Sequence, residues 1–241
     1  MRIRFISGRV WLHTSPSLGV IVNDDIHYQP PSGRVAQWLE HRAYTSAAPG
    51  SSPGTPTSMM SKVHFLKTAL KDYKVAAIAP SSSFVVKQIL KNLPHPHAYI
   101  VEYGAGDGVI TKALLEHMPK EGKLIAIEMS PHFIPNLKKI RDPRLHVVQG
   151  DVLKICKDFS KFKLPRVDAV VSGIPFSFFN AKERNLIAKQ TFQKLGEHGR
   201  FILYQFSPLM LPYLKEYFKK KIKLSLEVRN LPPYFIIVAE K

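Results

Sequence analysis

The sequence predicts an α/β fold, a mostly parallel sheet with helices on both faces, and three observations carry that prediction. Residues 98–108, A-Y-I-V-E-Y-G-A-G-D-G, run from an apolar segment able to form a buried strand into three glycines at alternate positions, after which Val109, Ile110, Leu114 and Leu115 open a helix-period pattern. Beyond them, strand-like and helix-like segments keep alternating. The last two apolar runs, 222–230 and 234–239, are joined only by Leu231, Pro232 and Pro233, too short for a parallel crossover, so they should pair antiparallel.

Residues 1–58 hold both tryptophans, many Ser, Gly, Pro and Thr residues and no sustained period, so no packed element is expected there. Ala36-Gln37-Trp38-Leu39-Glu40 and Gly50-Ser51-Ser52-Pro53 resemble the conceptual translation of the D-arm and T-arm of a transfer-RNA gene. The segment is therefore either a disordered arm or a spurious extension, with translation starting at Met59 or Met60. Residues 59–97 form an N-terminal helical segment. Val63, Leu66, Leu70 and Tyr73 recur at spacings of three and four, and Lys67, Lys71 and Lys74 make a basic stripe, which gives an amphipathic helix over 62–75. Such a helix either lies in a lipid interface or covers the sheet. Ser81 or Ser82 can cap a second helix running through Val85, Ile89 and Leu93 until Pro94 stops it.

Residues 98–241 form the ligand-binding core. After the first strand come a strand at 123–128, a helix at about 131–140, strands at 145–149 and 167–172, a helix at 181–195 and a strand at 200–206. Asn180 with Glu183 marks the start of the long helix, and Gly196 its stop. Ligands of such sheets bind at the carboxyl ends of the strands.

Gly104, Gly106 and Gly108 allow positive φ and let a ligand come against the main chain. A dinucleotide fingerprint puts its third glycine three places after the second, where this chain has Val109, and this weakens a nicotinamide reading. Two acids follow the pattern, Glu102 at the first strand's end and Glu128 at the end of the next apolar run. V-E-Y-G-A-G-D-G, I-A-I-E-M and V-V-Q-G-D-V, in that order, resemble the class I S-adenosylmethionine-dependent methyltransferases. The resemblance implies a Rossmann-like seven-stranded sheet, mostly parallel with its last strand antiparallel, S-adenosyl-L-methionine as cofactor, and no metal. It implies that Gly104, Ala105, Gly106 and Gly108 admit the methionine and sugar portions. Glu128, beside Met129, would accept both ribose hydroxyls, and Asp151, beside Val152, would accept from the adenine amino group, since a carboxylate offers two acceptor oxygens. Glu102 would face the cofactor amine or fix the glycine loop, and Asp151 could instead cap the next short helix.

Adenine-N6 methyltransferases carry Asn or Asp before Pro-Pro-Tyr or Leu-Pro-Tyr at the fourth motif, and this chain has Ser172-Gly173-Ile174-Pro175-Phe176. S-G-I-P-F, F-L-K-T-A-L-K-D-Y-K-V-A-A-I-A-P-S-S, G-R-F-I-L-Y-Q-F and V-R-N-L-P-P-Y-F together resemble the bacterial phospholipid N-methyltransferases, across residues 65–239. The chain departs from that family in having Y-G-A-G-D-G for L-G-P-G-T-G, and Q-F-S-P-L-M-L-P where a tyrosine is usual. Ser172, Gly173, Ile174, Pro175, Phe176 and Tyr204 are the candidate catalytic positions, with Ser172 also beside the cofactor. Phe176, Phe178, Phe179, Tyr204 and Phe206 are either core or an aromatic surround for a methylated ammonium. The residues themselves identify no general base.

Formal net charge is +17, and removing five arginines, Asp24, Asp25 and Glu40 of residues 1–58 leaves +15, which favours phosphate-bearing partners. A phospholipid membrane surface and RNA both qualify. Lys219, Lys220, Lys221 and Lys223 are either a solvated helix end or lipid contacts. A single cysteine, Cys156, excludes an internal disulfide and reads as a core or surface thiol. The resulting expectation is a cytoplasmic, peripherally membrane-associated N-methyltransferase acting on phosphatidylethanolamine. Its rivals are an rRNA adenine-N6 methyltransferase and a non-catalytic cofactor-binding protein of the membrane surface.

Overall fold

The structure, a computed structural model, describes residues 3–6, 9–12, 83–219, 221–230 and 233–241. The amphipathic segment 62–75, the Ser81 or Ser82 cap and Lys220 lie outside the described residues. Within 1–58, β1 (Ile3–Ile6) and β2 (Arg9–Leu12) pair antiparallel in a sheet of their own.

The large sheet is built from β3 (Tyr99–Tyr103), β4 (Lys123–Glu128), β5 (Leu145–Gln149), β6 (Ala169–Ser172), β7 (Arg200–Gln205), β8 (Ile222–Glu227) and β9 (Tyr234–Glu240). Its order is β5-β4-β3-β6-β7-β9-β8. The first five strands in that order are parallel, and β9 runs antiparallel to both neighbours, β7 and β8. This is the Rossmann-like, mostly parallel sheet with a reversed last strand that the sequence predicts. The helices are α1 (Ser83–Lys91), α2 (Val109–His117), α3 (Ile134–Lys138), α4 (Val152–Ile155), α5 (Ala181–Lys194) and α6 (Leu211–Phe218).

Alternation along the strands divides the core in two. Ile100, Leu124, Val171, Ile202 and Ile236 pack with Val85 and Ile89 of α1 and with Ile110 and Leu114 of α2. Val101, Tyr103, Ile127, Val170, Phe201 and Leu203 pack on the other face with α4, α5 and α6. Burial on both faces explains why the strands read as continuous apolar runs rather than alternating ones. It also makes α1 part of the sheet's cover, so the core extends N-terminally past residue 98. Arg200 fastens this arrangement at the amino ends of the strands, donating from Nη1 to the Asn92 carbonyl at 3.1 Å and from Nε to Glu240 Oε2 at 3.0 Å.

Several elements are shorter than their sequence runs, three of them by two residues or more. The helix expected at 131–140 contracts to α3, with Pro135 in its first turn and no side-chain cap. The strand expected from 167 begins at Ala169; just before it, Asp168 still bonds both neighbours through its backbone, and its Oδ2 accepts from the Ala98 and Tyr99 N–H groups at 2.8 and 2.9 Å. The run 222–230 ends its pairing at Glu227, where Arg229 turns back onto that carboxylate. Cys156 is fully buried and free, and burial pushes its thiol up to about 11, which fits a core residue and no nucleophile.

Candidate active site

The carboxyl ends of β3, β4, β5 and β6 lie side by side, and the predicted cofactor residues follow those ends. The glycine turn leaves β3 with its backbone held by Ile127 of the adjacent strand, whose carbonyl accepts from Gly104 and Ala105 N–H at 2.8 and 3.2 Å. Gly104, Gly106 and Gly108 have φ of 76°, 52° and 84°, the left-handed region that glycine tolerates best. Their surroundings differ. A Cβ on Gly104 would stand 2.5 Å from Ile174 Cγ2, and one on Gly108 would stand 3.1 Å from both Leu137 and Ile140. Those two positions leave no room for a side chain within the protein's own packing. A Cβ on Gly106 would meet nothing within 4 Å, so this is the glycine that faces open space.

Glu128 holds that open turn. Its Oε2 accepts from Gly106 N–H at 2.9 Å and its Oε1 from Ser130 N–H at 2.7 Å. Each carboxylate oxygen can accept a further bond, so two hydroxyls of a ribose fit the remaining capacity. Asp151 lies just past β5, whose Gln149 is in register with Glu128, and the Gly150 N–H donates to the Glu128 carbonyl at 2.9 Å. Asp151 caps α4, with Oδ1 accepting from Leu153 N–H at 2.9 Å, and Oδ2 is left for another donor. Met129 is 37% exposed beside Glu128, while Val152 and Ala105 are buried.

Glu102 is fully buried, and its Oε2 accepts from Thr111 Oγ1 of α2 at 2.6 Å. This bond ties the strand end to the helix that follows the turn. Its Oε1 has no partner among the described residues. Burial pushes the carboxyl up to about 7 against the pull of the Thr111 hydrogen bond, and repulsion from Glu128 and Asp107 adds to the rise. An unpartnered buried carboxylate oxygen, an open αL glycine and a half-used Glu128 carboxylate fit a ligand bearing an ammonium group and a ribose, as S-adenosyl-L-methionine does.

The fourth motif leaves β6 alongside. Ser172 is buried and in register with Tyr103 and Leu203, and Gly173 N–H donates to the Tyr103 carbonyl at 3.2 Å. A Cβ on Gly173 would lie 2.2 Å from the Tyr204 hydroxyl oxygen, so Tyr204 packs directly on this loop. Ile174 covers Gly104, and Pro175 leads into a short 3-10 turn, Phe176–Phe178. Phe176 is 1% exposed and packs within the core. Phe206 and Tyr234 form a tilted pair with centroids 4.3 Å apart, and Tyr204 lies 6.2 Å from Tyr234.

Sequence reasoning missed Thr111 and Ser130. A cavity of about 250 Å³ lies elsewhere, lined by Leu137, Ile140, Leu145 and Val147 beside edge strand β5, and holds none of these residues.

The ribosomal RNA adenine dimethylase family pattern matches residues 81–182. An ornithine lipid N-methyltransferase of Singulisphaera acidiphila is 29% identical over 162 residues, 66% of this chain and 84% of that protein. The mitochondrial dimethyladenosine transferase 1 of Homo sapiens is 36% identical over 92 residues, 34% of this chain but 26% of its own length. Among solved structures, the Burkholderia thailandensis 1,6-didemethyltoxoflavin-N1-methyltransferase, with bound S-adenosylhomocysteine, has a TM-score of 0.58 at 16% identity, covering 80% of this chain and 94% of that one. That likeness shows the fold.

Proposed function

We propose that this class I S-adenosylmethionine-dependent methyltransferase alkylates the amine of a membrane lipid head group, with phosphatidylethanolamine as acceptor and the amine of an ornithine lipid as the neighbouring choice. The observation that carries the reading is the end of β6, where Ser172 and Gly173 stand in place of a side-chain amide or acid. An adenine amino group, planar and conjugated, is held in related enzymes by such an amide or acid; a hydroxyl is too short to reproduce it. The match to the ornithine lipid enzyme runs through most of both proteins, whereas the match to the human adenine enzyme stops at about a quarter of it.

The chemistry suits the site. S-adenosyl-L-methionine, when bound, supplies an electrophilic methyl group on a sulfonium. Glu128, the Gly106 turn and Asp151 would hold the ribose and adenine, and Glu102 would set the turn and face the ammonium. The protein's remaining task is to hold a neutral amine in line with that methyl. The amphipathic segment 62–75 and the lysines at 219, 220, 221 and 223 are proposed to meet anionic lipid phosphates from the cytoplasmic side.

The test is to incubate the protein with methyl-labelled cofactor and liposomes containing phosphatidylethanolamine, with ornithine-lipid liposomes and ribosomal RNA as parallel acceptors. Label in a lipid phase is the expected result. Label in RNA alone would make the adenine reading correct.

A further inference from the structure

Among the described residues, two buried polar side chains at the carboxyl edge of the sheet have atoms with no partner. Ser172 Oγ, on a residue 1% exposed, ends β6, and Gln205 Nε2, on a residue 7% exposed, ends β7. The strands are adjacent and parallel, with Ser172 in register with Leu203, so Gln205 sits two places further along on the same face. Both belong to the face covered by α5 and α6, as Phe201 and Leu203 do. A buried polar group without a partner is costly, and in a native fold it asks for an explanation. Two on neighbouring strand ends, next to the fourth motif, point to one shared ligand.

We infer that the Gln205 carboxamide and the Ser172 hydroxyl form the seat for the acceptor's amine, an inference that rests on the amino-lipid reading above. Neither side chain is charged, and a phosphate drawn out of water asks for a cationic partner, so the head group's phosphate is the poorer occupant. A neutral primary amine carries two N–H donors and one lone pair. Its hydrogens match one oxygen from each side chain; the amide presents its oxygen or its nitrogen by a half-turn about its terminal torsion. With both hydrogens held, the lone pair is left free for attack. The amide function that adenine-N6 enzymes carry on the β6 strand is here supplied from the strand beside it.

The reaction then consumes its own grip. The nitrogen–carbon bond forms as the carbon–sulfur bond breaks, the thioether product leaves, and the new methylammonium loses its proton to water, since neither Gln205 nor Ser172 titrates in the working range. A monomethylated amine has one hydrogen left for the seat, and a dimethylated amine none. Gln205 and Ser172 therefore favour the first transfer over the last.

The experiment compares wild type with Gln205→Leu and, separately, Ser172→Ala, on liposomes of phosphatidylethanolamine and of its N,N-dimethyl derivative. Gln205→Leu keeps the side chain's size and removes an unpartnered polar group, so its Tm should hold or rise, and S-adenosylhomocysteine should bind as before. Expected is a loss in kcat/KM of roughly 10- to 100-fold on the primary amine and under about threefold on the dimethylated one. Ser172→Ala should show the same asymmetry, smaller. Equal slowing on both acceptors, or none, in both variants overturns the inference while leaving the lipid reading intact. A wild type that labels no lipid overturns both.

Discussion

A carboxyl group cut off from water, with one hydroxyl for company, keeps its proton far longer than one on the surface, and Glu102 is such a group. Its folded value of about 7 lies above the ordinary 4.5, so between those limits the folded state holds a proton that the unfolded chain has released. Stability from this group is therefore complete below about pH 4.5 and declines as pH rises through 7, by on the order of 3 kcal/mol in total. Glu102→Gln should flatten that slope: thermal melts of the cofactor-free protein between pH 5 and 8 should fall for wild type and stay level for the variant. Equal slopes would mean that other groups govern the pH response. The sequence placed Glu102 at the strand end, but not the Thr111 contact, because a bond between a strand and the helix after a turn depends on how tightly the turn closes.

Helix α5 begins where its sequence says it should. Asn180 Oδ1 accepts from Glu183 N–H at 3.0 Å, and Glu183 Oε2 accepts from Asn180 N–H at 3.0 Å, a reciprocal box that satisfies two donors with no intrahelical partner. Asn180→Ala should lower unfolding free energy by about 1 kcal/mol in urea titrations while leaving S-adenosylhomocysteine affinity unchanged. Local signals of this kind, caps and strand periods, were legible: β4 and β5 fall on the bounds read from the sequence. The glycine turn was legible as a turn, but the division of labour within it was not. What a side chain at Gly104 would meet is decided by Ile174, on a loop some seventy residues away. Phe176 shows the same limit, since the residues that bury it come from several elements of one cluster.

Long-range ties complete the architecture and are the part least visible in a linear reading. Glu227 at the end of β8 is buried, its carboxylate grips the half-exposed Arg229 at 2.6 and 2.7 Å, and that guanidinium lies 4.2 Å from the ring of Phe84 on α1. The Arg229 hydrogen bond holds the Glu227 carboxyl below the usual range despite its burial, so the pair's contribution is present above about pH 4.5 and lost as pH falls beneath it. Arg229→Ala strands a buried charge and also frees Phe84. A loss of stability at pH 7 that shrinks toward pH 4 is the expected outcome of urea unfolding at the two pH values. A loss unchanged across that range would assign the effect to Phe84 alone.

The insertion of β9 between β7 and β8 has a kinetic side. Strand β8 joins the large sheet only through β9, although it is made first, and β7 keeps one open edge until the same moment. A ribosome adds roughly 5–20 residues per second, so for an interval on the order of a second the nascent chain carries an unpaired edge and an unplaced strand. Exposed edges of this kind invite pairing between chains. Synthesis thus passes through a window in which crowding of nascent chains on one message favours aggregation, and a chaperone that shields the β7 edge would act there.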